Sequence, residues 1–257
     1  MKNIVVMPDF KKDINQVEPD FVKFCKIGWK KWCEKNNCDF FIIDTPIANF
    51  DYIVPQMQKM WTMDIIDKNG IEYDQMAIVD HDTIPTKNCK NFFELTNGKF
   101  TAVLDNGFGP QLNRLVRLFK DHFYKEDEFV TWDTYFNSGF IIVNKSHREV
   151  FKKTQEFYFK NKNGFAIHNK ADDLNDQTIL NFELSKSNMG LNLLPRSYNV
   201  LAWHAQNFFY DYTDELNRRI DPVVHINDCI NVFHLCGDLN FRNQASHFVL
   251  NKIWNIV

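Results

Sequence analysis

Tyr73–Pro85 reads YDQMAIVDHDTIP. Met76–Val79 is a short apolar run with the length and composition of a buried strand. It runs straight into Asp80-His81-Asp82, and Pro85 stops any regular continuation. In open α/β sheets, ligands gather at the carboxyl ends of strands. Paired acids there repel each other unless a cation sits between them or one is protonated. A hard divalent cation, Mn²⁺ or Mg²⁺, with diphosphate oxygens completing its shell, meets that demand. The alternative is a solvated turn, since Asp-x-Asp is a common chance pattern. In an extended segment His81 points away from both acids, so it is not counted as a ligand.

Working outward, Ile4–Met7 reads as a first buried strand ended by Pro8-Asp9. Asp20–Asn36 carries Phe21, Phe24, Cys25, Gly28, Trp29 and Trp32 at helical spacing, with Asn36-Asn37 as a stop. Phe40–Ile43 is a second strand. Strand, amphipathic helix, strand is the opening of a doubly wound α/β sheet. No G-x-G-x-x-G follows the first strand, which weakens a dinucleotide-binding reading. Met57–Asp67 reads as a helix closed by Lys68-Asn69-Gly70, and Lys90–Thr96 as a short helix. Phe100–Leu104 is a strand and Gln111–His122 a helical stretch.

Phe136–Asn144, FNSGFIIVN, holds another buried strand, with Gly139 permitting close approach of the backbone to something. Ser146–Lys160 reads as a helix with Ser146 and Glu149 forming a capping box. Asp172–Leu184 is a loop entering a helix, and Asn192–Leu194 a short strand leaving through the turn Pro195–Asn199. Trp203–Tyr212 is aromatic and polar; it suits a core, or a platform on which a sugar stacks. Val223–Ile226 and Asn231–His234 are strand-like, and Asn243–Ile256 is a terminal helix.

The 257 residues give ample length for a core, and a hydrophobic share of 44% with 25% charged is ordinary for a soluble globular protein. A net charge of −3 gives no electrostatic reason to propose a nucleic-acid or anionic-membrane surface. None of the six cysteines forms a CxxC pair, so they read as reduced thiols in a cytoplasmic protein rather than zinc ligands. The N-terminal apolar run is too short for a signal peptide, and no run approaches a membrane span. Abundant Asn, Lys, Ile and Phe hint at an AT-rich genome, bacterial or viral.

Four features line up in order: Asp80-His81-Asp82 after a strand, Phe136-Asn137-Ser138-Gly139 before one, Asn175-Asp176-Gln177 entering a helix, and His234-Leu235-Cys236-Gly237. Together they resemble the GT-A glycosyltransferases, most closely the glycogenin-like retaining enzymes of family 8. That family carries a DxD after a central strand, an FNSG segment, a DQ pair and a late HxxG. The resemblance spans about residues 1–240. It implies a GT-A, Rossmann-like α/β fold, a mixed sheet flanked by helices. Residues 1–257 would form a single domain, 1–105 its nucleotide-binding half and 106–257 its acceptor and sugar half with the C-terminal helix.

The implied activity is metal-dependent transfer of a sugar from a nucleoside diphosphate sugar, mostly a UDP-sugar in that family, with retention. Asp80 and Asp82 would bind Mn²⁺ or Mg²⁺, with His234 the third ligand; an imidazole beside two carboxylates favours Mn²⁺. Asp176 and Gln177 would serve the reacting face, although Asp176 also suits a plain helix cap. Asn137 and Ser138 would hold sugar hydroxyls, and Gly237 would let the backbone close on the diphosphate. Asp9 would meet the nucleobase or ribose. The family's lysine three residues after HxxG is here Asn240; Arg242 and Lys59 are the basic candidates to replace it, each also explicable as a surface cation. Asp105 and Asp133 are further acids that would flank the sugar, but solvated turns are the simpler account of them. The acceptor is open among a glycan, a protein side chain and a modified nucleic-acid base. Two rivals stand beside this reading: a sugar nucleotidyltransferase, disfavoured because MPDFKKDIN lacks glycines, and a non-catalytic nucleotide-sugar binding module, favoured by the missing lysine.

Overall fold

The computed structural model describes residues 1–11, 17–105, 117, 130–168, 176–201, 212–213, 219–220, 229–236 and 239–255. The stretches 111–116, 118–122, 172–175, 203–211 and 223–226, and Gly237, lie outside the described residues.

A six-stranded mixed sheet forms the centre, in the order β2-β1-β3-β6-β5-β7. Its strands are β1 (Asn3–Pro8), β2 (Asp39–Ile43), β3 (Gln75–Val79), β5 (Phe100–Leu104), β6 (Phe136–Val143) and β7 (Leu191–Leu194). β1 runs parallel to β2 and β3, β6 is antiparallel to both β3 and β5, and β7 is parallel to β5. The apolar runs Ile4–Met7, Met76–Val79 and Phe140–Val143 in the middle of the sheet are fully buried because both faces are covered, whereas Ile42 of the edge strand β2 is exposed. Ile4 and Val6 with Met76 and Ile78 enter one core cluster, while Val5 and Met7 with Ala77 and Val79 enter the other, as strand alternation requires.

Helix α1 (Asp20–Asn36) crosses from β1 to β2 and covers the second face with Phe21, Cys25, Trp29 and Trp32. It ends at Asn37, whose φ of 53° is the left-handed conformation that asparagine tolerates at a helix C-terminus. Gly28 is the contact residue: a Cβ there would lie 2.8 Å from the Ile84 side chain. The first face is covered by α2 (Pro55–Gln58), α3 (Thr62–Lys68), α4 (Arg148–His168) and α5 (Asp176–Lys186). α6 (Leu239–Phe248), continued by a π-helical turn over Val249–Trp254, packs on α1. Its Asn243 accepts the Phe21 backbone N–H at 3.0 Å, satisfying an N-terminal amide of α1 that has no cap of its own.

A second sheet of three short strands, β4 (Thr83–Pro85), β11 (Val232–His234) and β8 (Val200–Leu201), sits at the exit of β3. β11 is its middle strand, with His234 registered against Thr83 on one side and Leu201 on the other. β9 (Tyr212–Thr213) and β10 (Arg219–Ile220) form a separate antiparallel pair.

Three local expectations are corrected. The single helix over Met57–Asp67 is two short α-helices joined by a 3₁₀ turn at Lys59–Trp61. Met57, Met60, Met63 and Ile66 are all buried, and an apolar repeat of three favours the tighter helix. The Lys90–Thr96 helix is a 3₁₀ turn, Phe92–Leu95, capped by Asn91. The capping box ahead of α4 belongs to Asn144 and His147, not Ser146 and Glu149. Asn144 Oδ1 accepts the Ser146 N–H at 2.9 Å, and His147 Nδ1 accepts the Asn144 N–H at 3.0 Å. Burial pushes the His147 pKa down to about 4, so its imidazole is a neutral acceptor in the place a glutamate carboxylate usually takes.

Candidate active site

The chain leaves β3 at Val79 and turns at once. The Thr83 N–H donates to Asp80 O at 3.0 Å and the Thr83 hydroxyl to the same oxygen at 2.6 Å, so Asp80–Thr83 is a tight turn rather than an extended segment. His81 is not part of the converging group of ligand atoms: its Nδ1 lies 3.5 Å from Asp9 and its ring 6.0 Å from Phe21. The turn also presents Asp82 O to the Leu235 N–H at 2.7 Å, which stitches β11 beside it.

β11 thereby delivers His234 to the acids. One ligand atom from each of Asp80, Asp82 and His234 lies within 4.8 Å of the others. His234 Nε2 is 3.2 Å from Asp82 Oδ1, and Arg242, on α6, reaches Asp82 Oδ2 at 3.5 Å. Burial works against ionisation of Asp82, but the His234 imidazolium, its hydrogen bond, His81 and Arg242 hold the carboxyl well below its usual range. Burial likewise opposes charge on His234, and the Asp82 and Asp80 carboxylates outweigh it and raise its pKa. Arg242 stacks over Phe21 at 5.2 Å, and its Nε is buried without a hydrogen-bond partner.

From the opposite face of the sheet comes Lys59, on the 3₁₀ turn. It is buried, not a surface cation, and its ammonium lies 2.9 Å from Asp80 Oδ1, 2.8 Å from Asp176 Oδ2 and 3.1 Å from Ser138 Oγ. Burial opposes its charge, yet the Asp176 and Asp80 carboxylates win and raise its pKa. Asp176 is therefore more than a helix cap: its Oδ2 also accepts the Ser138 hydroxyl at 2.7 Å. Gln177 accepts the Ser138 N–H at 3.1 Å and donates to Asp105 at 2.5 Å. One turn along α5, Asn181 donates to Phe136 O and accepts the Phe136 N–H, both at 2.9 Å, and so pins the helix to β6.

β6 is irregular at this point. Its register against β5 shifts between Ala102, paired with Ile141, and Val103, paired with Asn137. Ser138 and Gly139 bulge out of that ladder toward the acids, as bulges beside sites commonly do. The close approach expected at Gly139 is made by the site itself: a Cβ there would overlap the His234 ring and lie 2.9 Å from Asp80 Oδ2. Asn137 Oδ1 accepts the Gly139 N–H at 2.9 Å and the Asn199 amide at 2.9 Å; Asn199 Oδ1 in turn lies 3.2 Å from His234 Nδ1. Asn199, which the sequence reading left in a turn, is buried. Its one signal was a polar residue opening the run Asn199-Val200-Leu201.

Asp80, Asp82, His234, Lys59, Asn137, Ser138, Asp176, Gln177 and Arg242 thus form one connected cluster. Asp9, at the end of β1, stands beside it, linked to Lys26 at 2.6 Å and facing His81. Asn240 falls in the first turn of α6. The donor set suits a divalent cation: two carboxylates and an imidazole converge, and the acids that raise the His234 pKa are the ones a cation would neutralise in a proton's place.

No protein-family model and no curated protein matches the sequence. Solved structures do match the fold. A glycosyltransferase involved in the glycosylation of the major capsid of PBCV-1 superposes with a TM-score of 0.63 at 10% identity, over 96% of this chain and 100% of that one. The galactosyltransferase LgtC, solved with donor and acceptor sugar analogues, gives 0.52 at 14% identity, over 98% and 95%. The glycosyltransferase GlyE of Streptococcus pneumoniae TIGR4 gives 0.50 at 14%, over 99% of this chain and 64% of that one. None of the described helices is long and apolar enough to cross a membrane. With its mixed sheet, flanking helices and acidic strand exit, this chain has the GT-A fold of these glycosyltransferases.

Proposed function

We propose that this chain is a metal-dependent glycosyltransferase that moves a sugar from a nucleoside diphosphate sugar, a UDP-sugar by resemblance, to a hydroxyl acceptor with retention. The observation that carries the reading is the convergence of Asp80, Asp82 and His234 within 4.8 Å, beside Asp176 across Lys59. Asp80, Asp82 and His234 would hold Mn²⁺ or Mg²⁺, which when bound supplies a Lewis acid for the departing diphosphate. Arg242, whose Nε is unpartnered, adds positive charge where the family's lysine is replaced by Asn240.

Breaking the anomeric carbon–phosphate oxygen bond leaves positive character on the sugar. Asp176, paired with Lys59, is the carboxylate that stabilises it. Gln177 has its amide fixed at both ends, by Ser138 N–H and Asp105, and borders the same face. Ser138 and Asn137 line the sugar side. Asp9, held by Lys26, is the acceptor for a nucleoside N–H or O–H. Gly237 would close on the diphosphate.

A screen of nucleoside diphosphate sugars with Mn²⁺, reading nucleoside diphosphate release, tests this. Release is expected with one donor and is abolished by Asp82→Ala. Pyrophosphate as product would mean nucleotidyl transfer instead. Tight donor binding with no turnover under any acceptor would mean a binding module.

A further inference from the structure

We propose that Asn199, backed by Asn137, is a positioning residue that fixes the tautomer of His234 so that Nε2 is the nitrogen offered to the cation. The proposal rests on Asp80, Asp82 and His234 being a cation site.

The chain of hydrogen bonds has a fixed starting polarity. The Gly139 backbone N–H can only donate, and it lies 2.9 Å from the Asn137 side-chain amide. That amide atom is therefore the oxygen. The Asn199 atom 2.9 Å from the same oxygen must then be the donor, Nδ2. Asn199 consequently turns Oδ1 toward His234 Nδ1, at 3.2 Å. An amide oxygen only accepts, so Nδ1 carries a proton in the neutral imidazole as well as in the imidazolium. The lone pair of the neutral ring is left on Nε2, which faces Asp82 Oδ1 at 3.2 Å.

With a cation at Nε2, the opposite tautomer would set two acceptors against each other at Nδ1 and turn a hydrogen toward the cation; without one, Nε2 faces the Asp82 carboxylate, and only the imidazolium donates to both neighbours. Burial makes that choice costly, because Asn199, His234 and Asn137 are 1%, 6% and 9% exposed and bulk water cannot repair a mismatch. The backbone fixes the partners as firmly as the side chains. Asn199 immediately precedes β8, whose Val200 and Leu201 register with Phe233 and His234. Asn137 sits at the irregularity of β6 that also brings Gly139 against the imidazole. A hydrogen-bond partner on the far nitrogen of a metal-bound imidazole is worth about 10–100-fold in metal affinity.

Two measurements test this. Calorimetric titration with Mn²⁺ compares the wild type with Asn199→Leu, which removes the acceptor, and Asn199→Asp, which keeps one facing Nδ1. The leucine variant is expected to bind Mn²⁺ about 10–100-fold more weakly, and the aspartate variant to bind more tightly than the leucine variant. Long-range ¹H–¹⁵N correlation on the histidine rings of the wild type loaded with a diamagnetic divalent cation, Mg²⁺ or Zn²⁺, and assigned against His234→Gln, is expected to show the Nδ1–H tautomer. A folded Asn199→Leu protein with wild-type Mn²⁺ affinity overturns the proposal. An Nε2–H tautomer in the wild type overturns it whether or not the leucine variant folds. Absence of Mn²⁺ binding by the wild type would instead sink the cation-site reading, and the proposal with it.

Discussion

Replacing Gly139 by alanine puts one methyl group into the most crowded point of the cluster. The added carbon would overlap His234 Cε1 and lie 2.9 Å from both Asp80 Oδ2 and His234 Nδ1. Neither neighbour can give freely. His234 is held by Asn199 on one nitrogen and Asp82 on the other, and Asp80 by Lys59. One extra methyl group in a packed interior costs about 1–3 kcal/mol through forced displacement. If that displacement is taken up by His234, the same energy appears as a loss of about 5–150-fold in cation affinity, at 1.4 kcal/mol per tenfold. The control is Gly98→Ala. Gly98 has a φ of +70° and nothing within 4 Å of the added carbon, so it carries only a backbone penalty of about 1–2 kcal/mol. Urea unfolding and Mn²⁺ calorimetry of both variants separate the two effects: both should lose stability, and only Gly139→Ala should lose Mn²⁺. A Gly139→Ala protein with unchanged stability and Mn²⁺ affinity would refute the crowding described here.

Lys59→Met leaves Asp80 and Asp176 facing each other without their shared cation, and should destabilise the protein by about 3–5 kcal/mol in urea unfolding. Asn181→Leu strips both hydrogen bonds from the Phe136 backbone; a loss of about 2–4 kcal/mol is expected, with kcat falling more than KM rises as Asp176 and Gln177 shift. In the metal-free protein, the raised His234 pKa contributes stability that is full below about pH 6.5 and is lost as pH rises through the folded value. The depressed Asp82 pKa contributes stability that is present above about pH 3.8 and lost as pH falls through its folded value, so thermal melts should peak between these limits. Mn²⁺ must displace the His234 proton, so its affinity should rise with pH until His234 is neutral; calorimetry in buffers of different ionisation enthalpy should register the released proton, and a buffer-independent heat would contradict this.

The central strands were legible because Ile4–Met7, Met76–Val79 and Phe140–Val143 are continuous apolar runs that needed no tertiary knowledge to be read as buried. The acids were legible for a related reason, since their place at a strand exit follows from where the run stops. Lys59 was legible as a basic candidate, but its burial between two acids was not, because a lysine among Met57, Met60 and Trp61 looks like the wet side of a core helix, and only the fold brings Asp80 and Asp176 to it. Asn199 was hidden for the same reason: its partners, Asn137 and His234, are remote in sequence and meet only when β8 lies against β11. The cap at Asn144 was misread because a histidine acts as a carboxylate substitute only once burial has neutralised it.

β11 occupies the middle of its small sheet, between strands contributed by the first half of the chain and by the segment just before it. A middle strand is the one its neighbours depend on: among the described residues β4 and β8 pair only with β11, so the small sheet forms only once β11 arrives. The long loop this closes is entropically the most expensive in the cluster. A chain emerging from the ribosome can therefore build the six-stranded sheet while its acids are still without an imidazole. The last helix then fastens the first, through Asn243 and Phe21, 222 residues apart. Competence to hold a cation is a late event in the life of this molecule, so Mn²⁺ retention by stalled nascent chains of increasing length should switch on only after residue 234 has cleared the tunnel.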